Sequence, residues 1–79
     1  MEELVRYIVE HLVPSKEDVK VEINKDSETT STIYVHVSKD CIGKVIGKNG
    51  KIASSIRSIV KTASADSNMR YYVQIMERE

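Results

Sequence analysis

Leu4, Val5, Ile8, Val9, Leu12 and Val13 recur at intervals of three and four residues, which predicts an amphipathic helix over residues 2–13. Glu2 and Glu3 complement its N-terminal dipole, and Pro14 with Ser15 ends it. The period then changes to two. VKVEI at 19–23 and TIYVHV at 32–37 alternate apolar with polar positions, so each is expected to be a strand with one face buried. The polar run NKDSETTS between them is the loop of a hairpin. Asp40 is a candidate N-cap for a short helix over 41–46, which a glycine turn at 47–50 interrupts before a longer helix resumes to about residue 63. Ile52, Ala53, Ile56, Ile59, Val60 and Ala63 form the apolar stripe of that second segment. SADSN breaks the pattern, and RYYVQIM at 70–76 is a last strand with Tyr71, Val73 and Ile75 on one face.

The resulting order is αββααβ. The two helices before the last strand are long enough for a right-handed crossover, so the second and third strands are expected to lie parallel and adjacent. The first strand then flanks the second as its antiparallel partner. This is an α+β arrangement, a three-stranded mixed sheet with three helices on one face. Tyr34, His36, Tyr72, Gln74 and Met76 are left on the opposite, partly exposed face. A chain of 79 residues is read as one domain over 1–79, and a domain of this size buries only about 60% of the surface its unfolded form exposes. The apolar fraction of 41%, without Trp or Phe, makes the core aliphatic.

Net charge is zero, but its distribution is uneven. Residues 1–28 carry a net −4, whereas 39–61 set Lys39, Lys44, Lys48, Lys51, Arg57 and Lys61 against Asp40 alone, a net +5. Such a dipole can draw a polyanion to one face while the molecule stays soluble. Cys41 is the single cysteine, so an intramolecular disulfide and a thiolate metal cluster are both excluded. The apolar runs are too short to span a membrane, and the default expectation is a soluble intracellular protein.

The glycine turn carries the most chemistry. In VIGKNGKIASSI at 45–56, Gly47 and Gly50 stand where side chains would keep a phosphate chain away from bare backbone amides. This run resembles the signature of KH domains, a hydrophobic-Ile-Gly-x-x-Gly core followed by isoleucines of a helix, and the αββααβ order resembles the bacterial, type II form of that fold. In length and in the run IGKVIGKNGKIASSIR the chain is similar to the stand-alone bacterial KH proteins of the KhpA family. The resemblance implies binding of single-stranded RNA, with the turn clamping the backbone of about four nucleotides and bases entering an apolar groove beside it. The residues it singles out are Gly47, Lys48, Asn49 and Gly50 in the turn and Lys44 and Lys51 as flanking phosphate contacts. Ile42, Ile46 and Ile52 are candidates for the groove, with Ile46 and Ile52 equally candidates for the core; Gly43 serves close helix packing or access for a base, and Ser55 is within reach of RNA. It also implies a cytoplasmic role in RNA metabolism or post-transcriptional regulation linked to growth and division. As partners it implies a homodimer, a heterodimer with a larger Jag/KhpB-type RNA-binding protein, or both; no cofactor is expected.

Other readings of the same residues are weaker. A Walker A loop needs four residues between its first glycine and Gly-Lys, but only three separate Gly43 from Gly47, and Asn49 stands where that motif continues with Ser or Thr. His11 and His36 have no second ligand at a metal-binding spacing and are read as structural or surface residues. Cys41 lacks an identifiable base and is read as a packing residue, so no enzyme is expected. Tyr7 is placed at the edge of the first helix's packing and Tyr71 in the core, with Tyr34 and Tyr72 as exposed neighbours across the parallel strands. Two rival functions remain: a protein-interaction module that dimerises through its helix-turn-helix face, and an assembly factor for ribosomal RNA.

Overall fold

The alternating stretches do form one sheet. The computed structural model describes residues 1–78, with α1 (Glu2–Glu10), β1 (Val19–Lys25), β2 (Thr30–Val37), α2 (Ile42–Ile46), α3 (Lys51–Ala63) and β3 (Arg70–Glu77). Single 3-10 turns precede β1 (Lys16–Asp18) and α3 (Lys48–Gly50). The sheet order is β1-β2-β3, with β1 antiparallel and β3 parallel to β2, as expected. Val21 lies opposite Val35, and Ile33 opposite both Ile23 and Val73, so one face of the sheet is a continuous aliphatic surface.

The helices cover that face except at Ile23, which is 42% exposed. Val5 and Val9 of α1, Val45 of α2 and Ile56 and Val60 of α3 meet Val21, Ile33, Val35, Val37 and Val73 in a single core, which Cys41 and Val13 complete. Burying one such side chain contributes about 1.5–3 kcal/mol, so these valines and isoleucines supply the main drive to fold. Each outer strand also receives an arginine from the helix above it. Arg6 of α1 donates to the Val21 carbonyl at 3.5 Å, and Arg57 of α3 donates through Nε to the Val73 carbonyl at 3.3 Å.

Several boundaries differ from expectation for local reasons. α1 stops at Glu10 rather than at 13: from His11 on the N–H groups reach back three residues rather than four, and Pro14 disfavours a helical conformation at Val13. Leu12 N–H still donates to the Val9 carbonyl at 2.9 Å, and the turn keeps Val13 buried. The hairpin loop shrinks to residues 26–29. Asp26 accepts from Thr32 Oγ1 at 2.6 Å and from Asn24 Nδ2 at 2.7 Å, while Ser27 Oγ accepts the N–H groups of Thr29 and Thr30. These bonds extend both strands into what reads as polar loop. Asp40 does not cap α2; the Ser38 carbonyl takes the N–H groups of Cys41 and Ile42, at 2.9 and 3.1 Å.

Ile59, placed in the apolar stripe by its spacing, is 43% exposed, and Ala63 is exposed as well. α3 lies over the edge strand β3, so only its narrow face of Ala53, Ile56 and Val60 is covered. Tyr7 does not pack at a helix edge: it is 64% exposed, its ring 4.4 Å from that of His11. Tyr34 and Tyr72 are diagonal rather than opposite, since the register pairs Tyr34 with Gln74 and Tyr72 with Thr32. On the same outer face Glu22 lies 3.1 Å from Lys20 and 3.6 Å from His36. The Lys20 hydrogen bond and charge, helped by His36, hold the Glu22 carboxyl below its ordinary value against a smaller effect of desolvation.

Candidate nucleic-acid interface

The two glycines of the turn are required for different reasons. Gly47 ends α2 with φ 78° and ψ 171°, while its N–H still donates to the Gly43 carbonyl at 2.9 Å. A Cβ at 47 would stand 2.6–2.9 Å from the Ile52 side chain, closer than carbon atoms can sit. Gly50 has open space around it, but its φ of 73° and ψ of 13° are left-handed. Asn49, at φ 58°, is left-handed too, a conformation that asparagine tolerates better than most residues. The chain therefore reverses between α2 and α3 within four residues, locked by the Gly50 N–H donating to the Gly47 carbonyl at 3.1 Å.

Lys48 and Asn49 form the exposed tip, and Lys44 and Lys51 are exposed on either side. Among the described residues none of these three lysines is held in an ion pair. No side chain caps α3; the Lys51 N–H is taken by the Lys48 carbonyl, and the positive end of the helix dipole faces the same surface. Gly43 does not serve close packing: a Cβ there meets nothing within 4 Å, and its absence instead keeps the surface of α2 low. Ile42 and Ile52 pack against the core, whereas Ile46 is half-buried outside it and is the isoleucine best placed to line a groove. Ser55 is exposed one turn into α3, with its hydroxyl donated to the Lys51 carbonyl at 2.8 Å, which leaves its oxygen as an acceptor.

Lys44, Lys48 and Lys51 are thus three exposed cations on and beside the turn. Sequence reasoning missed what adjoins the far end of α3. Arg57 and Lys61, counted there only as charge, line an open cleft with Arg70, Tyr71 and Tyr72 where α3 and β3 meet. Their i, i+4 spacing on one helix face was the available signal.

Comparison with known proteins identifies the family and the fold. The family model for the KhpA/KhpB KH domain matches residues 2–75. The chain is 43% identical over 77 residues to the RNA-binding protein KhpA of Oceanobacillus iheyensis, covering 96% of this chain and 100% of that one. It is 38% identical over 77 residues to the RNA-binding protein KhpA of Listeria monocytogenes, covering 98% and 100%. Among solved structures, Era in complex with MgGDPNP and nucleotides 1506–1542 of 16S ribosomal RNA superposes with a TM-score of 0.66 at 18% identity. That match covers 98% of this chain but 30% of the Era chain, and at such identity it shows a shared fold. The αββααβ order, the glycine turn between α2 and α3 and a match running from Glu2 to Ile75 lead to one assignment: the chain belongs to the KhpA/KhpB family of KH domains.

Proposed function

We propose that the chain is a single KH domain over residues 1–79 that binds single-stranded RNA through Gly47-Lys48-Asn49-Gly50 and performs no catalysis. The observation that carries this reading is the turn itself: three residues at positive φ, no Cβ at either glycine and an exposed lysine at the tip. Backbone amides can then reach a phosphate directly, while Lys44, Lys48 and Lys51 supply charge and Ile46 with Gly43 receives a base. Ser55 accepts a hydrogen bond from a ribose hydroxyl or a base edge. The relatives' name as RNA-binding proteins supports the same ligand.

In this reading the protein works in the bacterial cytoplasm, in RNA metabolism or post-transcriptional regulation linked to growth and division. It does so as a homodimer or with a larger Jag/KhpB-type partner. A protein-interaction role is favoured by one observation, the exposure of Ile59 in the middle of α3, and it is compatible with RNA binding at the turn. The test is fluorescence anisotropy of a labelled degenerate single-stranded RNA with wild type and with the double variant Lys48→Asp, Asn49→Asp, whose fold is checked by circular dichroism. Binding by wild type and its loss in the folded variant is the expected result. Equal binding by both, or by neither, overturns the turn as the RNA site.

A further inference from the structure

Asn49 and Gly50 form the only Asn-Gly pair of the chain; the other asparagines, Asn24 and Asn68, are followed by Lys25 and Met69. An asparagine carboxamide is open to attack at Cγ by the backbone nitrogen of the next residue, and glycine, with no Cβ, hinders that attack least. The surroundings differ as well. Asn24 lies within β1 and donates through Nδ2 to Asp26 Oδ1 at 2.7 Å, whereas Asn49 is exposed at the tip of the turn.

The attacking group is the deprotonated Gly50 nitrogen, and its position favours that anion. Gly50 is the N-cap of α3, at the positive end of the helix dipole, and Lys48 and Lys51 flank it as exposed cations. The closed turn opposes the reaction. The Gly50 N–H is held by the Gly47 carbonyl at 3.1 Å. At ψ 24° Asn49 also keeps the Gly50 nitrogen nearly anti to its own Cβ, while closing a five-membered ring requires the two to be nearly eclipsed. Opening the turn removes both obstacles. It breaks a single hydrogen bond and releases the left-handed strain of Asn49, so it belongs to the inexpensive local openings of the fold.

We propose that Asn49 is a modification site, where spontaneous deamidation gated by opening of the turn switches off the RNA clamp. Hydroxide takes the Gly50 amide proton, the nitrogen forms a bond to Asn49 Cγ, and the Cγ–Nδ2 bond breaks. Nδ2 leaves as ammonia with a proton from water, which restores the hydroxide. Water then opens the cyclic imide at either carbonyl, leaving aspartate or isoaspartate at position 49. Both products set a carboxylate between Lys48 and Lys51, and isoaspartate also lengthens the backbone between the two glycines. Bound RNA holds the turn closed, so protein in use is spared while idle protein ages. The loss of binding rests on the turn being the RNA site; the deamidation does not.

The experiment incubates the full chain at neutral pH, with and without excess degenerate single-stranded RNA, and follows each asparagine by peptide mapping and mass spectrometry. Aspartate and isoaspartate are expected to accumulate at position 49 while Asn24 and Asn68 remain amides, and RNA is expected to slow the change. The aged fraction, separated by its added negative charge, is then titrated with labelled RNA by anisotropy. Neutralising one phosphate contact takes roughly 0.7 off the log–log salt slope, about 5-fold in affinity at 0.1 M salt relative to the 1 M reference. Asn49→Gln protein incubated alongside should keep whatever affinity it starts with. If position 49 stays an amide as long as Asn68 does, the modification site is refuted. Equal rates with and without RNA refute the gating. If fresh protein binds RNA and the aged fraction binds it equally well, the switch is refuted and the turn falls as the RNA site. If fresh protein binds no RNA while position 49 deamidates, the proposed function and the switch fall and the chemistry at Asn49 stands.

Discussion

Replacing each glycine by alanine in turn separates three roles that the sequence writes with one letter. At Gly47 the new methyl carbon would lie 2.6 Å from Ile52 Cγ1, 2.8 Å from Cβ and 2.9 Å from Cδ1, and the backbone at φ 78° and ψ 171° is in a region reserved for glycine. Backbone strain of about 1–3 kcal/mol and an overpacking cost of about 1–3 kcal/mol together give roughly 2–6 kcal/mol. That is a large share of the roughly 4–12 kcal/mol expected for a domain this size. At Gly50 only the left-handed backbone opposes a side chain, so Gly50→Ala costs about 1–2 kcal/mol. Gly43 is helical with open space around it, and Gly43→Ala stabilises by about 0.5–1 kcal/mol. Urea unfolding followed by circular dichroism measures all three, with unchanged slopes certifying a common mechanism. The reasoning is refuted if Gly47→Ala costs no more than Gly50→Ala, or if Gly43→Ala destabilises. The same Gly43→Ala protein should bind RNA more weakly although it is more stable, since its methyl group occupies the low surface of α2.

Further expectations follow from the charges and the core. With about two to four lysine–phosphate contacts at the turn, a short RNA should show a log–log salt slope of roughly −1.4 to −2.8, measurable by anisotropy between low and moderate salt; a slope near zero would contradict phosphate clamping. Lys20→Ala should raise the Glu22 carboxyl toward its ordinary value in an NMR titration. Because that carboxyl is depressed in the folded state, its small, salt-screened stabilisation is present above the unfolded-state value and disappears as pH falls through the folded one. Ile56→Ala should cost about 2–5 kcal/mol and Ile59→Ala less than about 1 kcal/mol in chemical denaturation, since the first is fully buried and the second 43% exposed. Comparable losses would show that Ile59 is covered in solution.

The element order was legible because each element keeps one period: three and four residues in α1 and α3, two in the strands. The turn was legible because its glycines sit between two isoleucine-bearing segments. The departures arise where a distant group supplies what local reading assigns to a neighbour. The Ser38 carbonyl takes the donors that Asp40 would cap, and Asp26 with Ser27 turns apparent loop into strand. Ile59 has core spacing, but its exposure depends on how much sheet lies beneath α3. Arg57 and Arg70 come together only once β3 is placed at the sheet edge beside α3, a relation that no pattern within either segment contains.

The arginines at the sheet margins bear on how such a small sheet stays separate from its copies. A three-stranded sheet has two open edges, and each is a row of backbone groups on which another extended chain could add itself. Arg6 sits on the Val21 carbonyl of one edge and Arg57 on the Val73 carbonyl of the other, both at the middle of the strand. An incoming strand would have to displace a guanidinium and break its bond to the strand carbonyl. The helices that cover the core thereby also guard the edges, so association between copies is steered away from fibre-like strand addition and toward side-chain surfaces.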